Sequence, residues 1–282
     1  MAALSPPRRR LIGLSTKMYF SLVQSRNVIR SLLDLFHKQI DPSALSSIDI
    51  FLMPDFVALG QMTEEVQNSG LVIWLGAQNC HWEDQGAYTG EVSPRVLREL
   101  GVRIVEVGHA ERRRLFGENE DVVAKKAAAV SQNGMVPLIC VGERTKGEGE
   151  GQRDGDGDGD GDGDGDGDGG DVGAAVEECR AQLESALREV RSDAEIAIAY
   201  EPVWAIGAAH PASASHVVRV VEGIRELECV REREGITRIV YGGSAGPGLW
   251  ERLKGGVDGL FLGRFGHDPE SFVRTVREVT AA

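Results

Sequence analysis

Ile196-Ala197-Ile198-Ala199-Tyr200-Glu201-Pro202-Val203-Trp204-Ala205-Ile206-Gly207 reads as the end of a buried strand with an acid at its tip. The apolar run Ile196–Ala199 suits a strand covered on both faces. Glu201 falls where that run ends. Pro202 stops the strand, because proline donates no ladder hydrogen bond, and it biases Glu201 towards extended geometry. Trp204 gives the next segment an apolar anchor, and Gly207 gives it freedom. A carboxylate at a strand's C-terminal end, beside a loop able to close, is where an α/β enzyme keeps a catalytic base. A loop glutamate bonded to a backbone amide reads the same over these residues alone.

Seven more apolar runs of strand length surround this one: Leu11–Leu14, Ile48–Met53, Leu71–Leu75, Val102–Val107, Met135–Val141, Thr237–Tyr241 and Gly259–Leu262. Helical patterns separate them. Val28, Leu32, Leu35 and Phe36 share one face. Ser93-Pro94 is a capping serine followed by proline at the first helical position. A helix from Ala174 to Val190 lines up Val176, Cys179, Leu183, Leu187 and Val190, and a last one opens at Asp268-Pro269 and buries Phe272, Val273, Val276 and Val279. Eight strand–helix units predict an α/β fold with a parallel sheet, closed as a single (β/α)8 barrel. A doubly wound sheet would want a Gly-rich turn after its first strand, where this chain has Ser15-Thr16-Lys17.

The 282 residues suit one large α/β domain, with a short flexible start over 1–10 and the barrel over 11–282. The segment 147–170, in the loop after the fifth strand, is mostly alternating Asp-Gly with nothing apolar to bury, and is expected to be disordered. It lacks the apolar anchors of a calcium-binding repeat, so a solvated spacer is the better reading. Nine aspartates between Asp154 and Asp171 carry much of the net charge of −13, and setting them aside leaves −4. No basic stripe with interleaved aromatics points to nucleic acid, and Arg112-Arg113-Arg114 reads as a solvated helix face. The four scattered cysteines fit reduced thiols, and no stretch suits a membrane span, so a cytoplasmic protein is expected. Excising Gly149 to Gly170 is expected to leave activity nearly intact, checked by steady-state rates and thermal unfolding of the shortened chain.

In a barrel the polar residues just past each strand face one site. These are Lys17 after the first strand, His109 and Glu111 after the fourth, Glu201 after the sixth, Gly242-Gly243-Ser244 after the seventh and Gly263-Arg264 after the eighth. They suit proton transfer beside a carbonyl on a phosphorylated sugar. Glu201 takes the proton from carbon. His109, at a helix start, stays neutral and donates a hydrogen bond to the carbonyl. Lys17 stabilises the developing enediolate, and the glycine turns offer backbone N–H groups to a phosphate.

Lys17-Met18, Gly76-Ala77-Gln78-Asn79-Cys80, Tyr88-Thr89-Gly90-Glu91, Gly108-His109-Ala110-Glu111-Arg112-Arg113, Ala199 to Gly207 and Tyr241-Gly242-Gly243-Ser244 resemble the triosephosphate isomerase family, from about Leu11 to Val279. That family is itself a standard example of a glutamate base, a neutral histidine and a closing loop. The resemblance implies a TIM barrel with Glu201 as base, His109 as electrophile, Lys17 as electrostatic stabiliser and Glu111 as its support. It implies a phosphate site at Gly207, Ser244 and Gly263, with Ser15 and Arg264 on the substrate walls. It implies interconversion of dihydroxyacetone phosphate and glyceraldehyde 3-phosphate, in glycolysis and gluconeogenesis, with no cofactor or metal. The stretch Gln78 to Glu91 resembles the family's third loop, with Thr89 at its tip, and implies a homodimer. The chain departs from the usual pattern at Ser15 (asparagine), Ala110 (serine), Arg264 (glycine) and Ala208-Ala209-His210-Pro211 (a lysine-containing hinge). Arg264, together with His81-Trp82, is similar to a side branch that isomerises tetrulose phosphates, so a four-carbon ketose phosphate such as erythrulose phosphate is the alternative substrate. A barrel that binds sugar phosphate without turnover is the alternative of another class.

Overall fold

The computed structural model describes residues 9–146, 170–206 and 212–281. Eight parallel strands form a closed barrel in sequence order: β1 (Arg10–Ser15), β2 (Ile48–Met53), β3 (Trp74–Ala77), β4 (Val102–Val107), β5 (Val136–Val141), β6 (Ile196–Tyr200), β7 (Thr237–Tyr241) and β8 (Gly259–Leu262). β1 pairs with β2 on one side and β8 on the other, which closes the ring. Closure leaves no unpaired sheet edge. Among the described residues, no helix is long and apolar enough to cross a membrane.

Side-chain parity divides the apolar residues into two shells. Leu11, Phe51, Trp74, Ile104, Leu138 and Phe261 fill the inside of the barrel. Ile12, Leu14 and Ile198 point outwards, in one cluster with Ile29, Phe36 and Phe272 from the surrounding helices. Gly13 makes the inner layer possible, because a Cβ there would lie 1.8 Å from the Phe51 ring. That ring crosses the barrel and meets Phe261, centroid to centroid at 5.2 Å.

Most element ends follow the chain's own signals. Ser93 Oγ accepts from Val96 N at 3.2 Å, capping the helix Pro94–Glu99. Asp171, the last aspartate of the acidic run, caps Val172–Leu187, which starts and ends slightly earlier than its apolar spacing predicts. The third strand departs more. It was expected over Leu71–Leu75, but pairing with β2 begins only at Phe51↔Trp74, and the strand continues to Ala77. Leu71 and Ile73 precede the ladder and pack against the outer cluster, while Val72 is 85% exposed. A continuous apolar run fixes neither burial nor pairing residue by residue, so it cannot mark where a partner strand starts. The Asp-Gly insertion expected over 147–170 falls, except for Gly170, outside the described residues, between β5 and the helix Val172–Leu187.

Behind the barrel mouth, the buried Lys126 donates to Asn79 Oδ1 at 2.9 Å and to Glu118 Oε1 at 2.5 Å, and Arg112 also bonds Glu118. This cluster ties the loop after β3 to the segment after β4.

Candidate active site

The C-terminal ends of β1, β4, β6, β7 and β8 surround one cavity of about 290 Å³. Ser15, Lys17, His109, Glu111, Glu201, Ser244, Gly263 and Arg264, all singled out from the sequence, line it. Gly207 lies outside the described residues, as do the four residues after it. Thr89 is exposed and does not line this cavity; its loop packs on itself through His81, whose ring meets Trp82 at 4.1 Å and Tyr88 at 4.3 Å.

His109 is the N-cap of the helix Ala110–Phe116, and its Nδ1 accepts from Glu111 N at 3.1 Å. A ring nitrogen that accepts carries no proton, so this bond assigns the proton to Nε2. Burial, then the nearby Lys17 charge, pushes the His109 pKa down to about 4, so the ring is neutral at physiological pH. Its Nε2–H faces Glu201 Oε2 at 3.3 Å.

Glu201 leaves the end of β6 with its backbone N–H bonded to Val141 O at 2.8 Å. The side chain is buried. Burial, reinforced by Glu106, raises its carboxyl well above the ordinary range, and Lys17 partly offsets this. Gly242 makes room for it, since a Cβ there would lie 2.2 Å from Glu201 Oε1.

Lys17 takes φ 46, the one left-handed non-glycine among the described residues. Such a backbone costs energy and persists only when its surroundings hold it. Gln78 Nε2 grips Lys17 O and Met53 O, each at 3.1 Å, and Ser15 Oγ accepts from Lys17 N at 3.3 Å. The ammonium donates to Glu111 Oε1 at 2.7 Å and lies 3.5 Å from His109 Nε2. Burial disfavours its charge, but the neighbouring carboxylates outweigh that and hold its pKa above the usual lysine value. The strained turn therefore delivers a firmly charged ammonium beside a neutral imidazole donor.

Two parts of the site were not singled out beforehand. Glu106 sits in β4, lines the cavity and is buried. Its place in the run Val102–Val107 concealed it, although an acid at the inward parity of Ile104 was the available signal. Glu143, past β5, accepts from Trp204 Nε1 at 2.8 Å and Tyr200 OH at 3.0 Å, and His216 Nε2 lies 3.0 Å away. That buried knot anchors the first turn after Glu201, and no short motif signals it.

The arginines after His109 also differ from expectation. Arg113 donates to Gly108 O at 2.7 Å and to Glu120 Oε1 at 2.6 Å, while Arg114 lines the cavity. Arg112 and Arg113 are not simply a solvated face, because they turn onto Glu118 and Glu120, while the exposed Arg114 reaches the cavity.

Ligand atoms of Glu106, His109 and Glu201 all lie within 4.8 Å of one another. A metal on His109 would need a lone pair on Nε2, where the bond from Glu111 N places the proton. The trio suits proton transfer better than ligation.

A family model described as triosephosphate isomerase matches residues 10–154 and 169–279. The chain is 38% identical over 270 residues to L-erythrulose-1-phosphate isomerase of Pectobacterium atrosepticum, across 94% of this chain and 93% of that one. It is 37% identical over 266 residues to the protein of the same name from Brucella abortus, across 93% of each. It is 36% identical over 273 residues to triosephosphate isomerase of Aquifex aeolicus, across 95% of this chain and 98% of that one. With a closed eight-stranded barrel behind these matches, the chain belongs to the triosephosphate isomerase family.

Proposed function

We propose that the chain is a ketose-phosphate isomerase that moves a proton between neighbouring carbons through an enediolate, and that its preferred substrate is a four-carbon ketose phosphate. The reaction rests on one observation: Glu201 faces the Nε2–H of neutral His109 at 3.3 Å in a cavity that also holds Lys17. Glu201 removes the proton from the carbon beside the carbonyl. His109 donates to the carbonyl oxygen, and Lys17 stabilises the enediolate as its charge grows. Returning the proton to the neighbouring carbon exchanges carbonyl and hydroxyl. The oxidation of one carbon balances the reduction of the next, so the step needs no outside oxidant. Backbone N–H groups at Gly242–Ser244 and Gly263 receive the phosphate, as does Gly207, and Arg264 adds a cation there. Residues 11–282 form one catalytic domain, interrupted over 147–170.

The triose phosphate expected first from the sequence gives way to the tetrulose on two grounds. Ser15 and Arg264 stand on the cavity wall where the family usually has asparagine and glycine. Relatives at 38% and 37% identity carry the name L-erythrulose-1-phosphate isomerase. The similarity to the Aquifex aeolicus triosephosphate isomerase keeps the triose reading second. Steady-state rates decide between them. The expected kcat/KM is higher on L-erythrulose 1-phosphate than on dihydroxyacetone phosphate by about tenfold or more, the scale one small substrate group commands. A preference for the triose overturns the substrate, and no turnover of either returns the chain to a binding barrel.

The segment Gln78 to Glu91 serves as a dimer loop, with Thr89 reaching a second copy's site. Its support is that Thr89 is exposed and does not line this chain's own cavity. Sedimentation is expected at twice the chain mass, and a monomer at micromolar concentration overturns it.

A further inference from the structure

We propose that Glu106 is a specificity-determining residue of this site, one that hydrogen-bonds the terminal hydroxyl of a four-carbon ketose phosphate on the side away from its phosphate. This rests on the isomerase reading above and deepens it.

The argument begins with placement. In a barrel whose strands run β1 to β8 in order, β4 lies opposite β8. The phosphate turns follow β7 and β8, so a substrate held there points its other end towards β4. Its reacting carbons lie between Glu201 and His109. A triose phosphate has only hydrogen beyond the reacting carbon. A tetrulose phosphate has one more carbon and one more hydroxyl there. That hydroxyl needs a polar partner close to both Glu201 and His109. Glu106 lies within 4.8 Å of the ligand atoms of both and lines the cavity. Lys17 and Ser15 also line the cavity, but Lys17 Nζ and Ser15 Oγ each already have an N–H bond, to Glu111 and from Lys17 N respectively.

Glu106 also lacks a partner worth its burial. Among the described residues, its one hydrogen bond is from the Cys140 thiol at 3.6 Å. A thiol is a weak donor, and a buried carboxyl with so little support is costly. The groups facing it are Lys17 from the β1 end, His109 and Glu111 from the β4 end, Cys140 from β5 and Glu201 from β6. Burial raises its carboxyl to about 7, with Lys17 and the Cys140 bond working the other way. Near neutral pH it therefore has a protonated form, and a carboxylic acid both donates to and accepts from a hydroxyl.

Three measurements test this. The first is wild-type kcat/KM on the tetrulose phosphate, the triose phosphate and a tetrulose phosphate with hydrogen in place of its terminal hydroxyl. The second and third are the tetrulose-to-triose ratio of kcat/KM in Glu106→Val and Glu106→Gln. The ratio cancels any change in the basicity of Glu201 that follows loss of its neighbour. It is expected to fall about 100-fold in Glu106→Val, where the hydroxyl is left unpaired, and to stay within about fivefold in Glu106→Gln. The deoxy substrate is expected to lose about tenfold or more with the wild type, a readout independent of whether the valine variant folds. A ratio unchanged in Glu106→Val, an equal fall in both variants, or a deoxy substrate turned over as well as its parent overturns the proposal. Failure of the wild type on the tetrulose phosphate sinks the substrate reading and this inference together. Turnover of that substrate with an unmoved ratio sinks this inference alone.

Discussion

Glu201→Gln is expected to lower kcat by about 10³–10⁴-fold while the barrel still folds, the upper part of the range a positioned general base commands. Glutamine matches glutamate in size, so the gap left by Gly242 is filled as before and the backbone bond from Glu201 N to Val141 O survives. An amide cannot take a proton from carbon. The fold argument has a sign that can be checked. Burial and Glu106 raise the folded-state pKa of this carboxyl above its unfolded value. The folded state then holds the proton more tightly, and stability is lost as pH rises through the ordinary carboxylate range and up to the folded pKa. The amide removes that loss, so Glu201→Gln should be no less stable than wild type near neutral pH. Steady-state kcat and urea unfolding midpoints at two pH values read both halves. Near-native kcat refutes the base assignment. A lost fold would mean that the carboxylate has a structural partner which the geometry around Gly242 does not include.

The barrel was legible because most strands are short apolar runs and most of the longer helices carry their own start signal, as those opening at Ser93-Pro94 and Asp268-Pro269 do. What the runs conceal is pairing. Leu71–Ile73 is as apolar as any strand, but the ladder with β2 starts at Trp74, a fact that resides in β2. The site divides the same way. Lys17, His109 and Glu201 stand just past strand ends, where polarity stands out against the preceding run. Glu106 stands inside a run, where one acid reads as noise unless parity is followed inwards. The left-handed turn at Lys17 could not be read locally, since it depends on Gln78, 61 residues further along the chain. The Glu143 knot joins segments 73 residues apart and follows no spacing rule.

Lys17→Met is the second large effect, and it separates two ways in which a cation helps a base. Methionine keeps the length of the side chain and drops the charge. Lost stabilisation of the enediolate is expected to cost about 10²–10³ in kcat/KM, the scale of removing one fixed electrostatic group. The pH profile should move as well. Lys17 holds the Glu201 carboxyl below where burial and Glu106 alone would set it, and it pushes His109 towards the neutral ring. Without it both pKa values rise. The working form, Glu201 ionised and His109 neutral, then requires a higher pH, so the acid limb of kcat/KM shifts to the alkaline side. The half-buried Glu111 loses its 2.7 Å partner, and its own pKa, now held low by that bond, rises too. If Lys17 acted only by tuning its neighbours, raising the pH would restore the full rate. If it stabilises the transition state, the alkaline plateau stays about 100-fold or more below wild type. The plateau height therefore decides the role, and an unmoved acid limb would show that the charge of Lys17 is too well screened by Glu111 to set the basicity of Glu201.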